Sequence, residues 1–371
     1  MKVSIVLPTY NQADMLPKAI ESIMNQTYQD WELIVVNDGS TDRTEKYLEG
    51  LKVPSTSEKF KIVHHDKNQK LPSTLNTGFE FATGDYYTWV SSDSVCAPYM
   101  IEALVKALDT YPDSGLAHAD FFIIDDNDQI LTRVSNPDYC FRSMVIRNDG
   151  NAAFMYPAKV AKDIGKYDTN INGAEDWDYW LRISEKYPFV YVPESLYYYR
   201  VHEKSMQQTL KEEINQSIVR MYNKLFKRHN EQSQFSRLFP YLDPESDLAY
   251  YALINFGSDL LTARIPQPAN TVTFLKTVIN QNPNNLVPWL NLSIAYALLG
   301  DWQNASVCIR EIEIRKDTSL IMKYVEQAKS AYIKQDIQKV LEIPIIAFHD
   351  KQEEIIIEEL KHKRHVSFTL N

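Results

Sequence analysis

The chain has 371 residues, enough for two or three domains at about 100–200 residues each. Hydrophobic residues make up 44% and charged residues 24%, which excludes intrinsic disorder as a description of the whole chain. A net charge of −10 argues against general nucleic-acid binding, which needs basic patches to neutralise phosphates, but leaves room for a local site for a small anion.

Residues 3–7 (VSIVL) read as a short β-branched strand ending at Pro8, followed by a helical stripe of Met15, Leu16, Ala19, Ile20 and Ile23. WELIVVND is a second buried strand, stopped by Asp38-Gly39-Ser40-Thr41-Asp42, where Ser40 or Thr41 can cap the helix TDRTEKYLEGL. FKIVHHD is a third strand. LPSTLNTGFEFATG reads as a helix ended by Gly84, and DYYTWVSSD as a fourth strand. Such alternation predicts βαβ units and a mostly parallel sheet with helices on both faces. FFIIDDNDQI reads as two strands joined by a hairpin turn at Asp125, Asp126 and Asp128.

Only 10 glycines occur, and eight of them lie in the first 173 residues. The pattern predicts a turn-rich first half and long helices beyond about residue 206. FPYLDPESD (239–247) reads as a linker. In 282–309, Trp289, Leu292, Tyr296, Gly300 and Ala305 follow the spacing of one tetratricopeptide repeat, two antiparallel helices with a glycine turn. An ordinary helical bundle is the alternative. Cys96, Cys140 and Cys308 lie far apart and show neither a disulfide framework nor metal-ligand spacing, as expected of a reduced cytoplasmic protein. The N-terminal apolar run is too short for a signal peptide, and no stretch approaches a membrane span. Peripheral attachment at the inner face of a membrane stays open.

Ligands of open α/β sheets bind beyond the carboxyl ends of the strands. Three polar clusters fall there: Thr9-Tyr10-Asn11, Asn37-Asp38 and Ser91-Ser92-Asp93-Ser94. A strand-end carboxylate such as Asp93 suits a hard divalent cation, although a turn or cap role is the plainer reading of any one of them. Asp178 and Arg182 are spaced for an i,i+4 ion pair. Trp177 and Trp180 fit a ligand surface or the core equally well, and His64-His65 reads as structural or solvent-facing. Tyr197, Tyr198 and Tyr199 can pack or touch a ligand.

The opening VSIVLPTYNQADMLPKAIESIMNQTYQDWELIVVNDGSTD resembles the N-terminal signature of the nucleotide-sugar-dependent glycosyltransferases of family 2. KLPSTLNTGFEFATGDYYTWVSSDS, GAEDWDYWLRI and LYYYRVHEKSM are similar to three later blocks of that family, in order. The resemblance covers roughly residues 1–206 and implies a GT-A fold: a Rossmann-like mixed sheet with helices on both faces. An all-α, repeat-like domain would then occupy 246–342, joined by a helical linker at 207–245 and followed by a tail at 343–371.

By the same resemblance, Pro8, Thr9, Tyr10, Asp38, Lys70, Ser92 and Asp93 would line the nucleotide site. Tyr10 would stack on the base, and Asp38 would accept from a base N–H, favouring a UDP-linked donor. Asp93 and His202 would hold Mn²⁺ or Mg²⁺. Asp176 would be the general base of an inverting transfer to a hydroxyl of a glycan or glycoconjugate, with Glu175, Trp177 and His202 at the acceptor or closing region. The family's metal motif carries two acids one residue apart; here only Asp93 remains of it. The alternative is a catalytically degenerate, transferase-like protein that binds a partner or itself through the helical domain. A nucleotidyltransferase is disfavoured, because no Gly-rich phosphate loop is present. Acceptor contacts are expected from loops 134–156 and 168–175.

Overall fold

The computed structural model describes residues 1–51, 59–137, 139, 144, 152–230, 254, 256–261, 263, 266–315, 321–343, 345 and 365–367. Cys140, most of the 134–156 loop, the 239–247 linker and nearly all of the tail lie outside the described residues. Two compact units form: 1–144 with 148–223 and 361–371, and 145–147 with 224–360.

The first unit is built on a ten-stranded mixed sheet. Its strands are β1 (Val3–Thr9), β2 (Trp31–Asn37), β3 (Phe60–His64), β4 (Tyr86–Trp89), β5 (Val95–Cys96), β6 (Leu116–Ile124), β7 (Ile130–Val134), β8 (Ala153–Pro157), β9 (Phe189–Arg200) and β10 (His365–Ser367). The spatial order is β10-β9-β6-β8-β4-β1-β2-β3, with β5 on β9 and β7 on β6. β1 runs parallel to β2 and β4, and β2 to β3. β8 is antiparallel to both β4 and β6, so β6 runs the same way as β4, and β9 is parallel to β6. The carboxyl ends of β1, β2, β3, β4, β6 and β9 therefore share one edge.

Alternation along β1 assigns its two faces. Val3, Ile5 and Leu7 join a core with Leu16, Ala19, Ile20 and Ile23 of α1 (Leu16–Met24) and with α4 (Met100–Thr110). Val6 faces α3 (Leu71–Glu80) on the other side, where a Cβ on Gly78 would lie 2.4 Å from Val6 Cγ1. After α5 (Ala158–Ile164) in the chain comes α6 (Glu175–Ser184), and farther along that side aromatic rings fill the space under it. Phe154 meets Trp180 at 4.5 Å between centroids, and Tyr167 stacks on Tyr179 at 4.1 Å.

Three local expectations are corrected. Pro8 lies inside β1, opposite Val36. β4 leaves β1 after the Val6–Trp89 pair, and a strand with a locally open side tolerates a residue lacking N–H. The helix α2 (Thr44–Gly50) is not capped by Ser40 or Thr41; Asp42 Oδ1 accepts from Thr44 N at 2.9 Å. α3 ends at Glu80, not Gly84. Gly84 instead sits against β1, where a Cβ would be 2.7 Å from both Lys2 O and Ser4 N. Gly84→Ala is expected to destabilise the protein by about 1–3 kcal/mol. Gly50→Ala, at a position with nothing within 4 Å, is expected to be neutral within about 0.5 kcal/mol. Urea unfolding of the two variants checks the contrast; equal midpoints would refute it.

The hairpin turn at 125–128 and the Asp178–Arg182 ion pair, at 2.8 Å, are present as expected. Cys96 and Cys308 are buried and free. The first unit continues past residue 206 through α7 (Met206–Thr209) and into α8 (Lys211–Asn230), because Ile214, Ile218, Met221 and Tyr222 are buried. The second unit contains α9 (Pro268–Gln281), α10 (Leu286–Leu298), α11 (Trp302–Ile314), α12 (Ile321–Ile333) and α13 (Ile337–Leu341) around a core of Leu275, Leu290, Ala305, Ile309 and Ala328. Gly300, at φ 74°, makes the turn between α10 and α11, and Asp301 caps α11 through Asn304 N. No described helix is long and apolar enough to cross a membrane.

Candidate active site

The shared strand edge gathers the predicted residues from separate segments. Thr9 ends β1, buried, and its Oγ1 has no hydrogen-bond partner among the described residues. Pro8 beside it is buried and Tyr10 is exposed, as a ring available for stacking would be. Asn11, in the left-handed region at φ 53°, turns the chain there and accepts from Thr41 N at 2.7 Å.

Asp38 follows β2 and is buried. Its Oδ1 lies 2.7 Å from His65 Nδ1 and accepts from Gln69 N at 2.8 Å; Oδ2 accepts from Lys70 N at 3.0 Å. A carboxylate has about four lone-pair sites, so these three contacts leave one, on Oδ2. His65 reaches Thr77 Oγ1 through its other nitrogen at 3.0 Å, which fits the structural reading of this histidine.

Asp93 lies beyond β4. Its Oδ1 accepts from Ser91 Oγ at 2.7 Å and Ser94 Oγ at 2.9 Å, and its Oδ2 lies 3.3 Å from His202 Nε2. Burial opposes its ionisation, but the hydrogen bonds from His202, Ser91 and Ser94 outweigh burial and hold the carboxyl below its ordinary range. The hydrogen bond to Asp93 likewise raises His202 above the ordinary histidine value. Ser92, between Ser91 and Asp93 in sequence, is buried. Tyr197, of the aromatic run, points its hydroxyl at Ser91 N, 3.0 Å away.

Two residues that the motifs did not single out hold this edge. Arg200, at the end of β9 and buried, donates from Nε to Asp93 O at 2.8 Å and from Nη1 to Asp125 O at 2.5 Å, and pairs through Nη2 with Asp128. Glu213, on α8, binds Lys70 Nζ at 2.5 Å. Arg200 sits two residues before His202 and inside a recognised block, so its place in the sequence was a signal. Glu213 gave none.

Asp176 and Glu175 open α6. Glu175 is buried, and its Oε2 accepts from Gly173 N at 2.5 Å, bracing the turn; Asp176 is partly exposed and accepts from Trp177 N at 2.6 Å. Burial, with the charge of Asp176 added, raises Glu175 above the ordinary carboxylate range. Burial raises Asp176 as well. Burial, with the charges of Asp93, Asp176 and Glu175 added, raises the Tyr199 phenol above its ordinary value. Trp177 is fully buried and donates from Nε1 to Met144 O at 2.6 Å, the core placement that the sequence left open beside an acceptor role.

Asp93 and His202 are the residues that would hold a divalent ion here, and such an ion would supply positive charge beside a bound anion. Among the described residues no group of three metal-ligating side chains forms. The donor set therefore fits an ion shared with an anionic ligand.

The first unit, a mixed α/β sheet whose parallel strands end at one edge, has the GT-A fold, and the chain carries a helical unit in addition. The model of the family described as glycosyl transferase family 2 matches residues 4–160. An uncharacterised glycosyltransferase of Rickettsia typhi is 30% identical over 228 residues, covering 58% of this chain and 67% of that protein. The chain belongs to glycosyl transferase family 2. Another relative, an uncharacterised glycosyltransferase of Rickettsia felis, is 30% identical over 195 residues; the match covers 49% of this chain but only 31% of that protein. The mannosyltransferase PcManGT of Pyrobaculum calidifontis, solved with GDP-Man and Mn²⁺, shares the fold at a TM-score of 0.50 and 17% identity. That alignment covers 85% of this chain and 88% of the other.

Proposed function

We propose that the protein is an inverting glycosyltransferase that moves a sugar from a UDP-linked donor to a hydroxyl of a glycan or glycoconjugate. The observation that carries the reading is the pairing of Asp93 with His202, 3.3 Å apart across 109 residues of sequence, on the edge that also bears Asp38. Thr9 and Tyr10 cradle the base, and the remaining lone pair of Asp38 accepts from an imide N–H. Asp93 and His202 would hold Mn²⁺ or Mg²⁺, which would neutralise charge developing on the departing diphosphate. A sugar hydroxyl is a poor nucleophile, and Asp176 takes its proton as the new glycosidic bond forms and the bond to the diphosphate breaks. The raised Asp176 carboxyl is better matched to that transfer than an ordinary one.

Calorimetric titration with UDP and GDP, each with and without Mn²⁺, tests the reading. UDP is expected to bind, and more tightly with Mn²⁺. Asp93→Ala should abolish the Mn²⁺-dependent gain while leaving metal-free binding of UDP in place. Binding of neither nucleotide would leave only the scaffold reading, with the helical unit as the functional part.

A further inference from the structure

Lys70 adopts φ 72° and ψ 159°, a region in which a residue with a side chain is strained and glycine is not. The chain nonetheless places a long cation there. Its N–H is fixed by Asp38, at the proposed base pocket, so its ammonium starts beside the nucleotide site. That ammonium is half exposed and meets Glu213 Oε1 at 2.5 Å. The same oxygen accepts from Asn172 Nδ2 at 3.2 Å. Asn172 is buried, and its Oδ1 has no partner among the described residues.

Asn172 begins the turn that delivers Asp176. The next residue, Gly173, has φ 79°, and a Cβ on it would lie 2.5 Å from Ile214 Cγ1. Glu213 and Ile214, adjacent on α8, thus press on the turn of the base while Glu213 also holds the cation of the donor side. No other described carboxylate touches both.

We propose that the Lys70–Glu213 pair is a latch displaced by the donor. The diphosphate and Glu213 compete for one ammonium, and Glu213 is a positioning residue that links occupancy of the donor site to the turn carrying Asp176. An exposed ion pair of this kind is weak, so a polyanionic ligand with further contacts on the edge can displace it. Once Lys70 has moved, the Glu213 carboxylate is left to Asn172, and a charge-assisted hydrogen bond holds the base turn. The proposal rests on the reading of the edge as a nucleotide-sugar site.

The test is a double-mutant cycle on the full chain, read by calorimetric titration of UDP with Mn²⁺. Glu213→Gln is expected to bind UDP about two- to five-fold more tightly than the parent, or about 0.4–1 kcal/mol at about 1.4 kcal/mol per tenfold. Lys70→Met should weaken binding about tenfold, and adding Glu213→Gln to it should then change nothing. Should Glu213→Gln fold poorly, Glu213→Asp keeps the charge but shortens its reach, and is expected to tighten UDP in the same direction. An unchanged affinity in Glu213→Gln overturns the latch while leaving the site reading intact. Equal tightening in the Lys70→Met background also overturns it, because the effect would then be general charge removal. A parent that binds no UDP would overturn the site reading and the latch together.

Discussion

Asp176→Asn is expected to lower kcat by about 10²–10⁴-fold while UDP binding with Mn²⁺ stays within about twofold of the parent. The carboxylate is the group proposed to take the acceptor proton, and asparagine keeps its size and its contact with Trp177 N while removing that basicity. In the parent, burial raises the Asp176 carboxyl. A base works only when deprotonated, so activity should rise with pH through a value above the ordinary aspartate range of about 4. The variant should lose that acid limb. If it transferred sugar at the parent rate, the base would lie elsewhere.

The same substitution carries a stability signature of opposite sign. An acid whose folded-state value is raised binds more protons folded than unfolded, so its contribution falls as pH rises from the unfolded value towards the folded one. Glu175, raised by burial and by the neighbouring charge, adds to this. Asp176→Asn removes one of the two charges. The variant is therefore expected to melt higher than the parent near neutral pH, and the gap should shrink as pH falls towards about 4. Thermal melts at two pH values read this directly. A variant that melts lower than the parent at neutral pH would mean that the Asp176 charge stabilises the fold, as its place at a helix N-terminus would otherwise suggest.

Periodicity sufficed for the strand and helix order up to the fourth strand, because VSIVL is a short apolar run and Leu16, Ala19, Ile20 and Ile23 recur at helical spacing. It also placed the polar clusters at strand ends, where the parallel topology collects them. The local endings were harder. Gly84 looked like a helix stop but answers to the backbone of β1, 80 residues away in sequence. The first N–H of α2, from Thr44, goes to Asp42 Oδ1, in a turn that Asn11 of another segment holds. The partnership of Asp93 and His202 entered through resemblance alone, since no local pattern relates residues so far apart. Arg200 and Glu213 escaped for the same reason: each acts through acceptors or donors supplied by remote segments.

Arg200 gives the sharpest test of how the edge is held together. It is a buried guanidinium that satisfies two backbone carbonyls, of Asp93 and Asp125, and one carboxylate, of Asp128. Lysine is a point charge and cannot match such a fork, so Arg200→Lys loses at least one of the two contacts to these partly buried carbonyls, although Asp125 O keeps Asp128 N as a donor. The expected cost is about 1–3 kcal/mol, from the lost charge-assisted contacts and imperfect packing of the shorter head. Asp128 is half exposed and also holds Lys18 at 2.6 Å, so Asp128→Asn should cost under about 1 kcal/mol. The site should register the same asymmetry. Releasing the Asp93 carbonyl loosens the loop that aims the Asp93 carboxylate at His202, and the Mn²⁺ concentration giving half-maximal UDP binding should rise about tenfold in Arg200→Lys. In Asp128→Asn it should stay within about twofold, because the two carbonyl contacts survive. Urea unfolding and Mn²⁺ titration of both variants read the two effects separately. Equal losses in the pair would assign the work to the Arg200–Asp128 charge contact, whereas a stable Arg200→Lys with unchanged Mn²⁺ response would show that the loop aims Asp93 without Arg200.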